Sequence, residues 1–331
     1  MPLVLNKAHF QLTGCCNLAC RFCGQHKGML ACDDGDTVTF DDWLRVGEEL
    51  RHEAAAGGSA PQVMLWGGEP LLWPRFSELA RELYGAGIRL GVVTNGTLID
   101  RHAGALNECF DEIYLSLDGD ETMHDLIRGE GTFRRIAANV PLLAKRRGRL
   151  ILMTTLSDDT IGAAPELPGK LGGRFRPDGW VFGQLIYVFP EEIDRYRRIA
   201  AEIGQPEYPE LAAWSRSEDA GYLARLRAAE RKLRALRAPF PIHFVPHHYP
   251  EGRFGSCHCP AVDHRLHIRH DGECGVCTDY FGFSLGNIHR HSLGEIFRGE
   301  RASRLRAFLH ENRMPICDHC PWLGQAEKFG F

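Results

Sequence analysis

Short apolar runs alternate with longer amphipathic stretches over the first two-thirds of the chain. The runs predict strands at residues 8–13, 62–66, 88–94, 112–117, 150–155 and 180–188. The stretches between them carry apolar residues at helical spacing and predict helices at 40–56, 75–86, 100–108, 132–147, 163–171 and 191–203. This alternation predicts a parallel sheet with right-handed crossovers. Because six units are too few for a closed eight-stranded barrel, we expect an α/β fold built as an open, partial (β/α)6 barrel of the TIM type.

The pattern changes after the sixth unit. Residues 205–256 combine helical stretches with Pro and His, and we interpret them as a helical linking region. From Cys257 onward, Cys, His and Gly become frequent, which indicates a small C-terminal domain. The expected units are therefore 1–204, 205–256 and 257–331.

Composition restricts where the protein works and what it binds. The 331 residues are 44% hydrophobic and 25% charged, as is usual for globular proteins. No apolar run is long enough to cross a bilayer, and the first twelve residues do not resemble a signal peptide. The net charge of −4 lacks the basic footprint of a nucleic-acid-binding protein. We therefore expect a cytoplasmic protein that binds neither membranes nor nucleic acid.

The twelve cysteines are concentrated near the two ends of the chain. Without a secretion signal they do not suggest a disulfide framework, and clustered thiols in a reducing compartment indicate metal ligands. Cys16-Asn-Leu-Ala-Cys20-Arg-Phe-Cys23 forms a C-x3-C-x2-C motif directly after the first predicted strand. Three thiolates hold three irons of a [4Fe–4S] cluster and leave the fourth iron open, whereas four would close it. Zinc is the alternative, but structural zinc favours four ligands, and Cys15 is badly placed beside Cys16.

The motif, with an aromatic residue at Phe22, resembles the signature of the radical S-adenosylmethionine (radical SAM) superfamily. Three further segments follow in the order typical of that superfamily: Trp66-Gly67-Gly68-Glu69-Pro70, Val93-Thr94-Asn95-Gly96, and Leu115-Ser116-Leu117-Asp118-Gly119 with the stretch to Arg128 and Gly129. Each could be a simple turn when taken alone. All of them, however, fall at the carboxyl ends of predicted strands, where β/α barrels build their active sites.

The resemblance implies a binding site for S-adenosylmethionine. The expected cofactor-binding residues are Phe22, Gly67, Gly68, Glu69, Pro70, Asn95, Ser116 and Arg128. The segment of Gly67, Gly68 and Glu69 would receive the methionine ammonium, since glycine permits a close backbone approach. Ser116 and Asn95 would contact the ribose or the methionine. Arg128 would pair with the methionine carboxylate, and Phe22 would lie near the adenine.

The same resemblance implies the chemistry. The cluster held by Cys16, Cys20 and Cys23 would pass an electron, received from a flavodoxin- or ferredoxin-type donor, to S-adenosylmethionine. Cleavage would yield methionine and a 5′-deoxyadenosyl radical, which would remove a hydrogen atom from the substrate. The cofactors carry this chemistry, and the protein supplies position and a dry cavity.

A second cysteine set resembles the SPASM/twitch extension of this superfamily. Its C-x9–15-G-x4-C pattern matches the spacing from Cys259 through Gly272 to Cys277, and Cys317-Asp-His-Cys320 follows downstream. Ala326 stands where the full SPASM pattern has its next cysteine. We therefore expect one auxiliary [4Fe–4S] cluster, closed by four thiolates and suited to electron transfer. Its expected ligands are Cys259, Cys277, Cys317 and Cys320. Zinc held by four cysteines is the alternative.

Cys257 and Cys274 remain beside this set. We interpret them as bystander thiols. Two alternatives stay open: Cys257 replaces Cys259 as a ligand, or one of the two thiols donates a hydrogen atom to the substrate radical, as in some radical epimerases.

Three functions compete. The first is a radical enzyme that oxidises or epimerises a small polar molecule, such as a sugar, an aminocyclitol or an aminoglycoside. The second is a cyclase, thioether-forming enzyme or epimerase acting on a ribosomally made peptide. The third is a non-catalytic iron–sulfur or zinc protein, which the glycine, asparagine and serine motifs at the strand ends disfavour.

Overall fold

The structure is a computed structural model and describes residues 3–24, 38–217, 220–245, 259–278, 280 and 282–320. Cys257 and Ala326 lie outside these residues. Within them there are ten strands: β1 (Lys7–Gln11), β2 (Gln62–Trp66), β3 (Arg89–Thr94), β4 (Glu112–Ser116), β5 (Arg149–Leu156), β6 (Gly179–Gln184), β7 (Ile242–Val245), β8 (Arg265–Ile268), β9 (Glu273–Gly275) and β10 (Gly286–Asn287).

Eleven α-helices accompany these strands in the described part of the chain. They are α1 (Phe40–Ala56), α2 (Phe76–Gly85), α3 (Ile99–Cys109), α4 (Glu121–Arg128), α5 (Thr132–Asn139), α6 (Leu167–Phe175), α7 (Glu192–Glu202), α8 (Ala220–Ala235), α9 (Ala261–His264), α10 (Leu293–Arg298) and α11 (Glu300–Glu311). None of the described helices is long and apolar enough to span a bilayer.

All ten strands form one open sheet in the order β10-β9-β8-β1-β2-β3-β4-β5-β6-β7. The strands from β8 to β7 in this order run parallel, and β9 and β10 add an antiparallel edge. The prediction of a partial parallel barrel is confirmed. Two features extend it: the linking region, expected to be helical, also supplies strand β7, and the C-terminal residues add β8 beside β1.

Local sequence explains several element boundaries. At the start of α1, the Asp42 N–H donates to the Thr39 hydroxyl, and the Asp42 carboxylate accepts the Thr39 N–H, which forms a capping box. The predicted helix at 132–147 is shorter than expected, because α5 ends at Asn139 and a 3₁₀ turn carrying Pro141 follows. Proline has no N–H to continue the α-helical hydrogen bonds.

The two faces of the sheet pack differently. Side chains such as Phe10, Leu65 and Leu152 face the helices and form the main hydrophobic core. The alternate residues face the inside of the barrel, where Met64 and Tyr114 belong to a smaller buried cluster. This division follows from the two-residue period of a strand. The carboxyl ends of the parallel strands lie together at one edge of the sheet, where β/α barrels build their sites.

We predict that Leu152→Ala lowers the free energy of unfolding by about 2–5 kcal/mol, since it leaves a cavity between β5 and the helices. Leu152 is 0% exposed. Leu142, which is 46% exposed, provides the matched control, and Leu142→Ala is expected to change stability by less than about 0.5 kcal/mol. Urea denaturation of both variants measures the difference. Equal losses would contradict the assignment of Leu152 to the core.

Candidate functional site

The loop after β1 carries the first three motif cysteines. Cys20 is buried and the Cys23 N–H donates to its carbonyl, forming a turn. Cys16 is an exposed residue, but the surrounding loop shields its sulfur from solvent. This desolvation raises the pKa of the Cys16 thiol to about 11, and the nearby thiols of Cys20 and Cys23 add to the shift. The three thiols are therefore near enough for the charge of one thiolate to affect the others.

The Gly67-Gly68 segment packs directly on this loop. The Gly68 N–H donates to the Thr13 carbonyl at 2.8 Å, and the Glu69 N–H donates to the Cys15 carbonyl at 2.8 Å. A Cβ atom at Gly68 would lie 2.0 Å from the Cys15 oxygen, and one at Gly67 would lie 2.5 Å from the Thr13 oxygen. These positions therefore require glycine because two stretches of backbone touch there.

Glu69 ties the ends of β2 and β3 together. Its buried carboxylate accepts hydrogen bonds from Leu71 N–H at 3.1 Å, the Thr94 hydroxyl at 2.7 Å and Asn95 N–H at 2.7 Å. Burial raises the pKa of Glu69 to about 7, although these hydrogen bonds act in the opposite direction. Pro70 begins the 3₁₀ turn that Glu69 caps. The Glu69 carboxylate therefore holds the ends of β2 and β3 in place, and its expected contact with the methionine ammonium stays a prediction.

A ring of side-chain hydrogen bonds connects the cysteine loop to the end of β3. The Asn95 amide donates to the Asn17 carbonyl oxygen at 3.0 Å, Asn17 donates to the Thr97 hydroxyl at 2.9 Å, and Thr97 donates back to Asn95 at 2.6 Å. The Asn95 amide nitrogen also lies 3.9 Å from the Cys16 sulfur. Sequence reasoning missed Asn17 and Thr97, although Asn17 directly follows the first motif cysteine.

Arg128 lies against the cluster loop and is engaged with an acidic residue. Its Nε donates to Asp118 Oδ2 at 2.5 Å, and its Nη1 lies 3.9 Å from the Cys20 sulfur. The guanidinium carbon lies 5.7 Å from the centre of the Phe22 ring. Asp118 accepts from Nε of Arg128, and the expected pairing of Arg128 with the methionine carboxylate stays a prediction. Asp118 was not predicted as a site residue.

Asp125 stabilises the turn between α4 and α5, next to Arg128. Its carboxylate accepts the N–H groups of Gly131 at 2.7 Å and Phe133 at 2.8 Å and the Thr132 hydroxyl at 3.1 Å. Burial would raise the pKa of Asp125, but these three hydrogen bonds outweigh it and leave the pKa below its ordinary value. The turn therefore depends on an ionised carboxylate.

A cavity of about 280 Å³ opens at the carboxyl ends of the strands. One part of its wall comes from the loop after β1, with Cys20, Phe22, Cys23 and Gly24. The strands contribute Trp66 from β2, Met153 to Thr155 from β5, and residues 181 and 183–186 from β6 and the segment after it. Arg128, Trp214 and Thr278 complete the wall. Within the described part of the chain, no Asp or Glu lines it. Asn95 and Ser116 are not among its lining residues. Thr278 directly follows Cys277, so the cavity wall includes a residue adjacent in sequence to the second cysteine set.

Three thiols of the second set are also neighbours. Burial raises the pKa of the Cys317 thiol well above its ordinary range, and Cys277 and Cys259 add to the shift. The Cys320 N–H donates to the Cys317 carbonyl at 3.2 Å. Between these two residues, His319 pairs with Glu192 at 2.9 Å. Among the described residues, no three Cys, His, Asp or Glu side chains converge as they would around a single metal ion.

Of the two thiols considered as hydrogen-atom donors, Cys274 lies within the described residues and Cys257 does not. Cys274 is 1% exposed, belongs to the hydrophobic core, and its sulfur lies 3.8 Å from the Gly272 carbonyl oxygen. It does not line the cavity. Cys274 is therefore part of the core, and its role as a hydrogen-atom donor stays an open alternative. Cys257 lies outside the described residues.

Two family models match the chain. The model of the Radical SAM superfamily matches residues 10–166, and that of the SPASM iron–sulfur cluster-binding domain matches residues 257–321. The tungsten-containing aldehyde ferredoxin oxidoreductase cofactor-modifying protein of Pyrococcus furiosus is 30% identical over 323 residues, which cover 94% of this chain and 86% of that protein. The AdoMet-dependent heme synthase of Methanosarcina barkeri is 31% identical over 177 residues, covering 49% of this chain. The match spans 47% of the heme synthase, about half of its length.

Solved structures share the fold. SuiB of Streptococcus suis, solved with bound S-adenosylmethionine, superposes with a TM-score of 0.69 at 16% identity, over 96% of this chain and 72% of SuiB. SuiB has also been solved with its precursor peptide SuiA. The chain belongs to the radical SAM superfamily and carries a SPASM iron–sulfur domain towards its C-terminal end. Its cofactors are therefore S-adenosylmethionine, a [4Fe–4S] cluster that binds it, and an auxiliary iron–sulfur cluster. Membership of an enzyme superfamily argues against the non-catalytic hypothesis.

The residues present fit these groups. The first loop offers three neighbouring thiols, the donor set that leaves one iron of a [4Fe–4S] cluster open. The adjoining cavity is bounded by two of those cysteines and by an apolar wall that includes Val181, Leu185 and Ile186. Such a wall suits a cofactor whose chemistry requires the exclusion of water.

We predict that Gly68→Ala lowers both the iron content after reconstitution and the free energy of unfolding, the latter by about 1–3 kcal/mol, since the new methyl group would overlap the Cys15 carbonyl. Gly173 in α6 is the matched control, because an added Cβ there meets no atom within 4 Å. Gly173→Ala should be neutral or stabilise the protein by up to about 1 kcal/mol. Iron analysis and urea denaturation report both effects. A Gly68→Ala protein with full iron content and unchanged stability would refute the close approach.

We predict a pH-dependent loss of stability for Asp125→Asn. Because the folded-state pKa is depressed, the contribution of the carboxylate is complete above its ordinary pKa of 3.8 and is lost as the pH falls through the lower folded-state value. At pH 7 the expected loss is about 1 kcal/mol, at the low end because the residue is partly exposed. Urea denaturation at pH 7 and below pH 4 measures it, with the exposed Asp100→Asn as control. A loss that is independent of pH would be inconsistent with this assignment.

Proposed function

We propose that the protein removes a hydrogen atom from a small polar molecule, such as a sugar, an aminocyclitol or an aminoglycoside. Loss of a proton and of one further electron, to the auxiliary cluster, would complete an oxidation, whereas return of a hydrogen atom from a thiol donor to the opposite face would complete an epimerisation. When bound to the reduced cluster, S-adenosylmethionine supplies the 5′-deoxyadenosyl radical for the removal of the hydrogen atom. The observation that carries the proposal is the cavity of about 280 Å³, which is lined by Cys20 and Cys23 and by Thr278, the neighbour of Cys277. Its size is near the lower end for small-molecule sites.

The chain's own residues would bind and orient the cofactors. Cys16, Cys20 and Cys23 would hold three irons of the first cluster. The backbone of Gly67 and Gly68 would lie beside the methionine part of the cofactor. This arrangement is supported by the contact of that backbone with the loop just before Cys16.

Neighbouring residues would complete the pocket. Phe22, which lines the cavity, would pack on the adenine, and Ser116 and Asn95 would supply polar contacts to the ribose or the methionine. Met153, Val181 and Ile186 would keep water away from the reacting atoms, which protects a radical from side reactions.

The second cysteine set would hold one auxiliary [4Fe–4S] cluster. Cys259, Cys277, Cys317 and Cys320 would close all four irons, which suits electron transfer rather than substrate binding. The position of Thr278 in the cavity wall supports this role, because it puts the neighbouring Cys277 close to the substrate side. In an oxidation, the substrate electron would leave by this route.

A peptide substrate is the second candidate. It is favoured by the fold shared with SuiB, which has been solved with a precursor peptide. In that case the same cavity would admit one side chain of the peptide. The two candidates differ in which molecule donates the hydrogen atom.

Anaerobically reconstituted protein with dithionite and S-adenosylmethionine is expected to form 5′-deoxyadenosine, as measured by chromatography. Cys20→Ala should reduce the rate to the background without enzyme, because the cluster loses a ligand. Cys109→Ala, which removes a buried thiol in α3, is the matched control and should retain the rate. A protein that holds zinc in place of iron, or a fully active Cys20→Ala variant, would refute the proposal.

The substrate class is tested with deuterated compounds. Deuterium from perdeuterated sugars or cyclitols is expected to appear in 5′-deoxyadenosine, since the substrate donates the abstracted atom. Mass spectrometry detects the transfer. Transfer from deuterated peptides alone would overturn the small-molecule assignment in favour of peptide modification.

A further inference from the structure

The buried pair of Arg128 and Asp118 has an orientation that matters for the first cluster. Arg128 is 9% exposed, and the Asp118 side chain is fully buried. The guanidinium lies between the carboxylate and Cys20, with Nε 2.5 Å from Asp118 Oδ2 and Nη1 3.9 Å from the Cys20 sulfur. The positive end of the pair therefore faces the cysteine, and the negative end is farther away.

The surrounding structure holds the pair in this orientation. The Thr155 N–H donates to Asp118 Oδ1 at 2.8 Å, and the Asp118 N–H donates to the His124 ring at 3.2 Å. On the other side, the Arg21 N–H donates to the Ile127 carbonyl at 3.0 Å, which fixes the cysteine loop to the end of α4. Asp118 thus fixes Arg128, and α4 fixes the loop that Arg128 faces.

The two members of the pair lie on different sides of the guanidinium. Nη1 of Arg128 lies 3.9 Å from the Cys20 sulfur, whereas the Asp118 carboxylate is bonded to Nε. The net effect of the pair on a negative charge at Cys20 is therefore favourable. Reduction adds one negative charge to a thiolate-bound cluster, and cluster potentials respond to nearby charge and to hydrogen bonds at sulfur.

We propose that Asp118 and Arg128 form a positioning pair that raises the reduction potential of the cluster bound at Cys20, with Arg128 stabilising the reduced cluster and Asp118 limiting the effect. The inference rests on the proposed assignment of Cys16, Cys20 and Cys23 as cluster ligands. It gives Arg128 a role that the pairing with a methionine carboxylate does not include. The electron itself comes from an external reductant, and the pair changes only how readily the cluster accepts it.

The pair makes opposite predictions for its two members. Arg128→Gln leaves a buried carboxylate near the cluster and should lower the reduction potential, whereas Asp118→Asn leaves an unopposed cation and should raise it. Shifts on the order of tenfold in electron affinity, about 59 mV for a one-electron couple, are expected. Arg128→Lys keeps the charge and should retain most of the wild-type potential.

The measurement is a redox titration of the reconstituted holoenzyme with dithionite, followed by electron paramagnetic resonance. Spectra with and without S-adenosylmethionine identify the signal of the cluster that binds it. Arg149→Gln is the matched control, because Arg149 pairs with Glu112 at the amino ends of β4 and β5 and should not affect the potential.

The double variant Asp118→Asn/Arg128→Gln is included in case a single variant fails to fold. Replacing both members of a buried ion pair removes the cost of an unpaired charge. Its potential should lie below that of the wild type but above that of Arg128→Gln. A merely structural role would move the potentials of both single variants in the same direction.

Several results would overturn the inference. The inference is wrong if the potentials of Arg128→Gln and Asp118→Asn shift in the same direction or stay at the wild-type value. If the wild-type protein still shows its normal signal, the proposed function is unaffected by that result. An Arg128→Lys shift as large as that of Arg128→Gln would also overturn the inference. A wild-type protein with no signal that responds to S-adenosylmethionine would overturn the proposed function and this inference together.

Discussion

Two stretches of backbone touch at the centre of the site, and the rest of the structure is arranged around that contact. The Gly67-Gly68 segment after β2 lies on the chain before Cys16 so closely that a methyl group at Gly68 would overlap a carbonyl oxygen. Two backbone hydrogen bonds close the contact, from Gly68 to Thr13 and from Glu69 to Cys15. Through it, the rigid parallel sheet determines where a long loop presents its thiols.

Buried polar groups extend this constraint to the neighbouring strands. Glu69 joins β2 to β3, the Asn17–Asn95–Thr97 ring joins the loop to β3, and Arg128 joins it to α4. A buried charge is costly unless several donors or an opposite charge compensate it. Because the protein itself supplies these partners, each group holds a neighbouring residue in place, and Arg128 also lines the cavity.

The open sheet explains how the two ends of the chain both contribute to one cavity wall. β8, from the C-terminal part of the chain, pairs with β1, so the strand that precedes the first cysteine set is held by the segment that contains the second. The residues after β9 then return Thr278 to the cavity wall. Such an arrangement suits an enzyme in which an electron enters beside one cluster and leaves beside the other.

The sequence by itself determined the parallel α/β architecture, the two cysteine sets and the motifs at the strand ends, because hydrophobic period and ligand spacing are local properties. The helix from Phe40 to Ala56 and the strand from Gln62 to Trp66 are examples, since both have the predicted bounds. Only the tertiary structure decided that β7 and β8 extend the sheet, that Glu69 and Arg128 are already paired, and that Cys274 lies in the core. These depend on contacts such as that between Arg128 and Cys20, 108 residues apart in sequence. The spacing of residues along a chain does not reveal which buried charges will meet when it folds.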